Sequence, residues 1–326
     1  MKKAPIKQLF VAIGLLLGLL IIQTNNTFAQ SSDTSNGLEI SPALVEVNGD
    51  VAKSYTIDVK VHNVTKSTLD FVGSVNDFGA KDETGQPSII LDSISDLPTS
   101  IKTWVGTVPS FQLSPGDSKS LNVTINIPRN AEPGGHYGVI RFSGKAPSGS
   151  SAVGQIASAG TLVLVRVSGN VKEKLDLTSF AASKDGKSGA LFENGPITFI
   201  TRFTNSGSVH VKPIGQIEVR DGFGHSIATI PVNDAKGNIL PASTRRFEST
   251  LNTSWLFGHY TADISIAYGT TGGAIVESIS FWVIPFKLVF VLLIGLITIV
   301  YILRTLIKRY NKHIITQSHK QQKNKK

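Results

Sequence analysis

Between Gly37 and Ile284 apolar side chains recur at every second position, and that period confines the chain to β-structure. The stretches "YTIDVKVHN" (55–63), "LDFVGSVND" (69–77), "SLNVTINIP" (120–128), "YGVIRFS" (137–143) and "TLVLVRVSG" (161–169) alternate apolar with polar or small residues, or are rich in β-branched ones, as strands are. Turn sequences separate them: "NGD" at 48–50, "ETGQP" at 83–87, "SPGD" at 114–117 and "EPGG" at 132–135. Short strands so punctuated, with no long helical pattern among them, predict an all-β architecture of antiparallel sandwiches.

The pattern occurs twice. "GPITFITRFTNSGSVHVKP" (195–213) parallels "KSYTIDVKVHNVTKSTLDF" (53–71), each an alternating strand that ends in Asn, Asn205 or Asn63. "ILPASTRRFESTL" (239–251) parallels "QLSPGDSKSLNV" (112–123), and a Gly-His-Tyr tripeptide follows in each half, at 135–137 and 258–260. In immunoglobulin-like sandwiches a Gly-x-Tyr at the E–F corner opens strand F, and the Tyr hydroxyl bonds back to upstream backbone. Gly135 with Tyr137 and Gly258 with Tyr260 are assigned that structural-corner role, which sends His136 and His259 to the rim. Two tandem immunoglobulin-like domains are expected, at 37–172 and 173–284.

Both ends carry apolar runs of a different kind. Lys2, Lys3 and Lys7 precede an uncharged run from Leu9 to Ile22, and Thr27 and Ala29 stand at the −3 and −1 positions of a cleavage after Ala29. That is the pattern of a secretory signal peptide over 1–29, followed by a short linker, 30–36. At the other end, 13 of the 16 residues from Leu288 to Leu303 are Leu, Ile, Val or Phe, together worth about 5 kcal/mol of membrane insertion. A membrane helix is predicted over 285–304, with Phe281 and Trp282 at one interface and Tyr301 at the other. The tail, 305–326, is basic and free of acidic residues, which marks the cytoplasmic side. The expected localisation is the cell membrane, single-pass type I, with the domains extracellular.

This layout removes the apparent basicity. Of 32 Lys and Arg, eight lie between Arg304 and the C-terminus and three in the leader, which leaves 21 against 23 Asp and Glu, about −2 for the exterior part. Nothing there suggests nucleic acid as a partner. The chain has no cysteine, so disulfides, thiol nucleophiles and thiolate metal sites are excluded. The histidines at 62, 136, 210, 225 and 259 lack any H-x-x-x-H or H-E-x-x-H spacing, and no metal or other cofactor is expected. Asp77, Asp82 and Glu83 cluster without the spacing of a calcium loop and read as solvated loop charge, while no phosphate-binding, dinucleotide or G-x-S-x-G motif occurs. Trp104 and Trp255 read as core residues. The chain is therefore expected not to be an enzyme.

A resemblance adds to this. Trp104-Val105, Pro109 and "LSPGD" (113–117), then "INIPRNAEPGGHYGVIRFS" (125–143) and "GTLVLVRVSGNVKE" (160–173), resemble the peptidoglycan-binding domain of the WxL-interacting surface proteins of Gram-positive bacteria. The second half, with "NSGSVHVKPIGQIEV" (205–219), "ILPASTRRFE" (239–248) and "FWVIP" (281–285), is similar to the membrane-proximal domain of that architecture. The resemblance implies a membrane-anchored protein facing the cell wall, whose first domain touches peptidoglycan or another wall polymer and whose partners include other surface proteins.

Within the first domain the B–C and F–G connections share one end of a sandwich. They correspond to 63–68 and a long Ser/Ala/Gly stretch, 145–160, in which Ser148, Gly149, Ser150 and Ser151 form the candidate ligand loop. An adhesion or signalling scaffold that recognises a protein is the alternative, and a polysaccharide-processing enzyme, which needs a carboxylate pair that the sequence does not display, comes last.

Overall fold

A computed structural model describes residues 37–91, 97–145 and 157–323. The expected signal peptide, its cleavage site and the linker lie outside the described residues. So do Ser148, Gly149, Ser150 and Ser151. The all-β fold of two sandwiches followed by a C-terminal helix is the one observed.

The first sandwich comprises β1 (Glu39–Ser41), β2 (Leu44–Gly49), β3 (Ser54–His62), β4 (Leu69–Ala80), β5 (Pro87–Ile90), β6 (Phe111–Leu113), β7 (Ser118–Asn126), β8 (Gly134–Lys145) and β9 (Ala157–Val167). One sheet has the order β1-β3-β7; the other runs β2-β9-β8-β4-β5, with β6 also on β4. Strand β3 shows why the sequence folds so: Ile57, Val59 and Val61 are buried while Asp58 and Lys60 are exposed. Its inner face meets Phe71, Ile101, Ile125, Phe142 and Val163 in one core. Each such side chain contributes about 1.5–3 kcal/mol by leaving water.

The second sandwich comprises β10 (Leu175–Lys184), β11 (Lys187–Ser188), β12 (Leu191–Phe192), β13 (Ile197–Asn205), β14 (Ile214–Asp221), β15 (Ser226–Val232), β16 (Thr244–Leu251), β17 (Gly258–Tyr268) and β18 (Gly273–Val283). Its sheets are ordered β11-β10-β13-β16 and β12-β18-β17-β14-β15. Phe199, Phe203, Ile217, Ile264 and Phe281 fill the core between them. In both sandwiches a short early strand pairs in parallel with the last one, β2 with β9 and β12 with β18.

The repeated Asn is a buried staple. Asn63 donates to the carbonyls of Ser67, Leu113 and Ser114 at 2.9, 3.0 and 3.2 Å and accepts from Thr65. Asn205 donates to Val209 and Ile239, both at 2.8 Å, and accepts from the Gly207 amide. One amide side chain thus satisfies carbonyls at a strand end that burial removes from water. Asn63 and Asn122 each open an Asn-Val-Thr glycosylation sequon; Asn63 is fully buried, whereas Asn122 is exposed.

The helix α1 (Phe286–Lys323) follows β18 after two residues. Its segment Phe286–Asn311, 26 residues with an 18-residue stretch at a mean hydropathy of 2.7, is long and apolar enough to cross a membrane.

Several side-chain expectations are corrected. Trp104 is buried, but Trp255 is 84% exposed, because its neighbour Leu256 takes the core position. Phe281 is no interfacial residue: it still belongs to β18, faces inward and stacks on Tyr260 with ring centroids 5.6 Å apart. His136 does not reach the rim. It is 5% exposed, lies against the Trp104 ring at 4.4 Å and donates from Nε2 to the Glu132 carbonyl at 2.9 Å. His259 packs on Trp282 at 5.0 Å.

Candidate binding site at the seam between the sandwiches

A two-layer sandwich needs only one apolar face per sheet, yet β8 is buried on both. Ile140 and Phe142 point into the first core, while Tyr137 and Val139 point the other way and join Phe78, Leu162 and Leu164. Leu240 of the second sandwich covers this outer cluster. The seam between the sandwiches is therefore a third hydrophobic layer.

Charged and polar groups frame it. Glu46 of β2 bonds the Lys212 ammonium at 3.0 Å and the Asn238 amide at 2.5 Å. Burial alone raises the Glu46 pKa, but these two partners hold it below the usual carboxylate value. The β4–β5 turn reaches across: Glu83 pairs with Arg202 at 2.7 Å, and its carbonyl accepts from the Arg246 amide at 2.7 Å. Arg166 of β9 grips Glu173 in the connection between sandwiches at 2.5 Å, and Glu173 also accepts from the Thr270 and Thr271 amides of the β17–β18 turn at 2.7 and 3.3 Å. Burial works against the Glu173 charge, yet Arg166 and Thr270 outweigh it and bring its pKa down to about 2.

The corner residues divide at this seam. The Tyr260 hydroxyl accepts from the Phe257 amide at 3.0 Å and donates to the Phe257 carbonyl at 3.2 Å, and Gly258 has a φ of 109°. Tyr137 makes no such upstream backbone bond; its hydroxyl faces Nδ1 of His210 in the second sandwich at 3.4 Å, with the rings edge-on at 5.8 Å. Burial raises the Tyr137 pKa. In this half Gly134, at a φ of 147°, takes the turn, while Gly135 leaves room that a methyl group would take from the Tyr137 hydroxyl. Burial drives the His210 pKa down to about 4, with Arg166 and Lys212 adding to the effect and Glu46 opposing it. The sequence carried no sign of these cross-seam partners, because they are 73 to 192 residues from the groups they meet.

A cavity of about 140 Å³ remains in the seam, lined by Leu44, Phe78, Leu162, Leu164, Leu240 and Arg245 among others. That is below the roughly 300–1,000 Å³ of cofactor and small-molecule pockets and suits a single apolar side chain. Arg245 borders it, donating to the Asn238 carbonyl at 2.8 Å and lying over Phe247 at 5.2 Å. The acidic cluster is not uniformly solvated, as the sequence had suggested: Asp77 is buried and pairs with Lys102 at 3.4 Å, Asp82 bonds Thr84, and Glu83 belongs to the seam. Among the described residues no group of three or more His, Cys, Asp or Glu is placed to hold a metal ion. The pairs Glu46–Lys212, Glu83–Arg202 and Arg166–Glu173 set carboxylates of the seam against its cations, an arrangement that fixes two bodies together.

No protein-family model matches the chain, and no curated protein does. Among solved structures it is similar to the class 5 fimbriae chaperone CfaA, at 12% identity and a TM-score of 0.39 over 74% of this chain and 98% of that one. It is similar also to the YadV chaperone, at 12% and 0.36 over 75% and 100%, and to the E. coli chaperone DraB, at 14% and 0.31 over 76% and 96%. Likenesses at such TM-scores carry no weight for what this chain binds.

Proposed function

We propose that the chain is a membrane-anchored surface protein that binds a cell-wall polymer, peptidoglycan above all, through its first sandwich, and does not act as an enzyme. On this reading residues 1–29 direct export, 30–284 lie outside the membrane, α1 crosses it and the basic tail stays in the cytoplasm. The resemblance to WxL-interacting surface proteins is part of the same proposal, as are other surface proteins as partners.

One observation supports it most. Strand register puts the far end of β8, Lys145, beside Asp70, and Leu69 beside Leu113, whereas the near end, Gly135, bonds the Ser208 carbonyl of the second sandwich at 2.8 Å. The 63–68 connection and the entry and exit of the 146–156 connection thus share the end of the first sandwich opposite the seam. The seam holds that end away from the second sandwich, which itself runs into α1. Loops displayed at a fixed distance from an anchor suit recognition of something outside the membrane.

Co-sedimentation of residues 30–283 with purified cell walls tests the reading. Pelleting with walls and with purified peptidoglycan is the expected result. A soluble ectodomain that stays in the supernatant with both overturns it and leaves the protein-recognising scaffold.

A further inference from the structure

The end of the second sandwich opposite the seam exposes large apolar side chains. Between β16 and β17 the chain makes a six-residue turn, Asn252–Phe257, in which Trp255 and Phe257 are 84% and 72% exposed. Leu191 and Trp282, neighbours across the parallel β12–β18 pair, are 64% and 49% exposed at the same end. Register fixes that end: Gly258 pairs with Val283, three residues before α1 begins.

The turn is held in place. Leu256 is anchored in the core, the Phe257 peptide is bracketed by the Tyr260 hydroxyl, and the Ser254 carbonyl accepts from the Gly195 amide at 3.2 Å. Glu193, on the same side, pairs with Lys287 of α1 at 2.8 Å. Trp255, Leu256, Leu288 and Val291 line one groove of about 510 Å³, together with Glu193, Pro285 and Lys287. Val291 lies about 6 Å along the helix beyond Lys287, within the uncharged run.

We propose that this end of the second sandwich sits in the lipid headgroup layer, with Trp255 and Phe257 inserted as interfacial anchors and a phospholipid filling the groove between the 252–257 turn and α1. The inference rests on the reading of α1 as a membrane span. The apolar span begins at Phe286, three residues after Val283, which pairs with Gly258 beside the turn, and Leu288 and Val291 of the span line the same groove as Trp255, so the turn lies at the membrane surface where α1 enters it. The Trp255 indole, a ring with one polar edge, favours that depth, and a clustered apolar surface that includes Phe257 is otherwise costly in water.

The test uses the full chain in phosphatidylcholine and phosphatidylglycerol vesicles. The fluorescence of Trp255 is isolated as the difference between the parent and Trp255→Phe, a change at an exposed position. Lipids brominated near the ester end of the acyl chain should quench most of that difference signal, lipids brominated near the terminal methyl much less, and aqueous acrylamide little. If the chain resists alkaline carbonate extraction but Trp255 is quenched by acrylamide and not by brominated lipid, the proposal is overturned while the anchor stands. Shielding from both quenchers overturns it too, in favour of a protein contact. Extraction of the chain by carbonate removes the anchor itself and the inference with it.

Discussion

Arg166 and Glu173 meet at 2.5 Å where the first sandwich hands over to the second, and the Glu173 carboxylate is 3% exposed. Breaking a buried pair from one side leaves the other charge without compensation. Glu173→Gln or Arg166→Ala should therefore cost about 3 kcal/mol of ectodomain stability, read by urea denaturation. With its pKa lowered to about 2, Glu173 stabilises the fold fully above the ordinary carboxylate value near 4.5. That contribution should be lost as pH falls from 4.5 through about 2, and Glu173→Gln should lack it.

His210 gives the seam a second pH dependence at milder acidity. Its neutral ring is favoured in the folded state, where the pKa is about 4, over the ordinary value of 6.5. The unfolded chain binds more protons between those limits, so stability is complete above pH 6.5, falls between 6.5 and 4, and loses nothing further to this group below. Melting temperatures across that window should drop in the parent and flatten in His210→Phe. Parallel slopes in the two proteins would contradict the assignment.

The two halves should respond differently at their equivalent Gly-His-Tyr positions. Tyr260→Phe removes both hydrogen bonds to the Phe257 peptide and should cost about 0.5–1.5 kcal/mol for each, whereas Tyr137→Phe loosens a contact with His210 across the seam. His136→Ala empties a buried place against Trp104 and should destabilise by about 1–3 kcal/mol. His259→Ala, on the half-exposed Trp282, should cost less. Chemical denaturation of the four variants checks the order.

Asn63 and Asn205 should be among the most sensitive polar positions. Ala at either removes two or more hydrogen bonds to buried carbonyls, of which Ile239 and Ser114 keep a backbone donor, so at about 0.5–1.5 kcal/mol for each bond both variants should lose roughly 1–3 kcal/mol by the same assay.

Reducing 147–155, which lies short of β9, to a short turn in the intact ectodomain should weaken wall binding in co-sedimentation while the melting temperature changes by only a few degrees. The experiment belongs in the intact ectodomain because residues 30–172 alone would bare Phe78, Val139, Leu162 and Leu164 to water and associate through them.

What the sequence by itself determined is what short-range rules control. The two-residue period of β3 or β9 decides strand and inward face within a few residues, the turn residues decide where strands end, and the uncharged run before Arg304 decides a long apolar helix. The repeated Asn and Gly-His-Tyr marked equivalent places in two sandwiches, because each is tied to a local turn. Tertiary structure alone decided the rest. Tyr137 and Tyr260 share one motif, but a neighbouring sandwich lies against only one of them, so one hydroxyl turns to His210 and the other to its own backbone. Trp255 and Leu256 are adjacent and both apolar; which of them entered the core depended on where β16 and β17 placed the turn, and not on either residue's preference for leaving water. The seam was invisible for the same reason: the second face of β8 reads like an ordinary strand until a partner 100 residues away covers it, and burial is a property of the assembled surfaces and not of the segment that carries them.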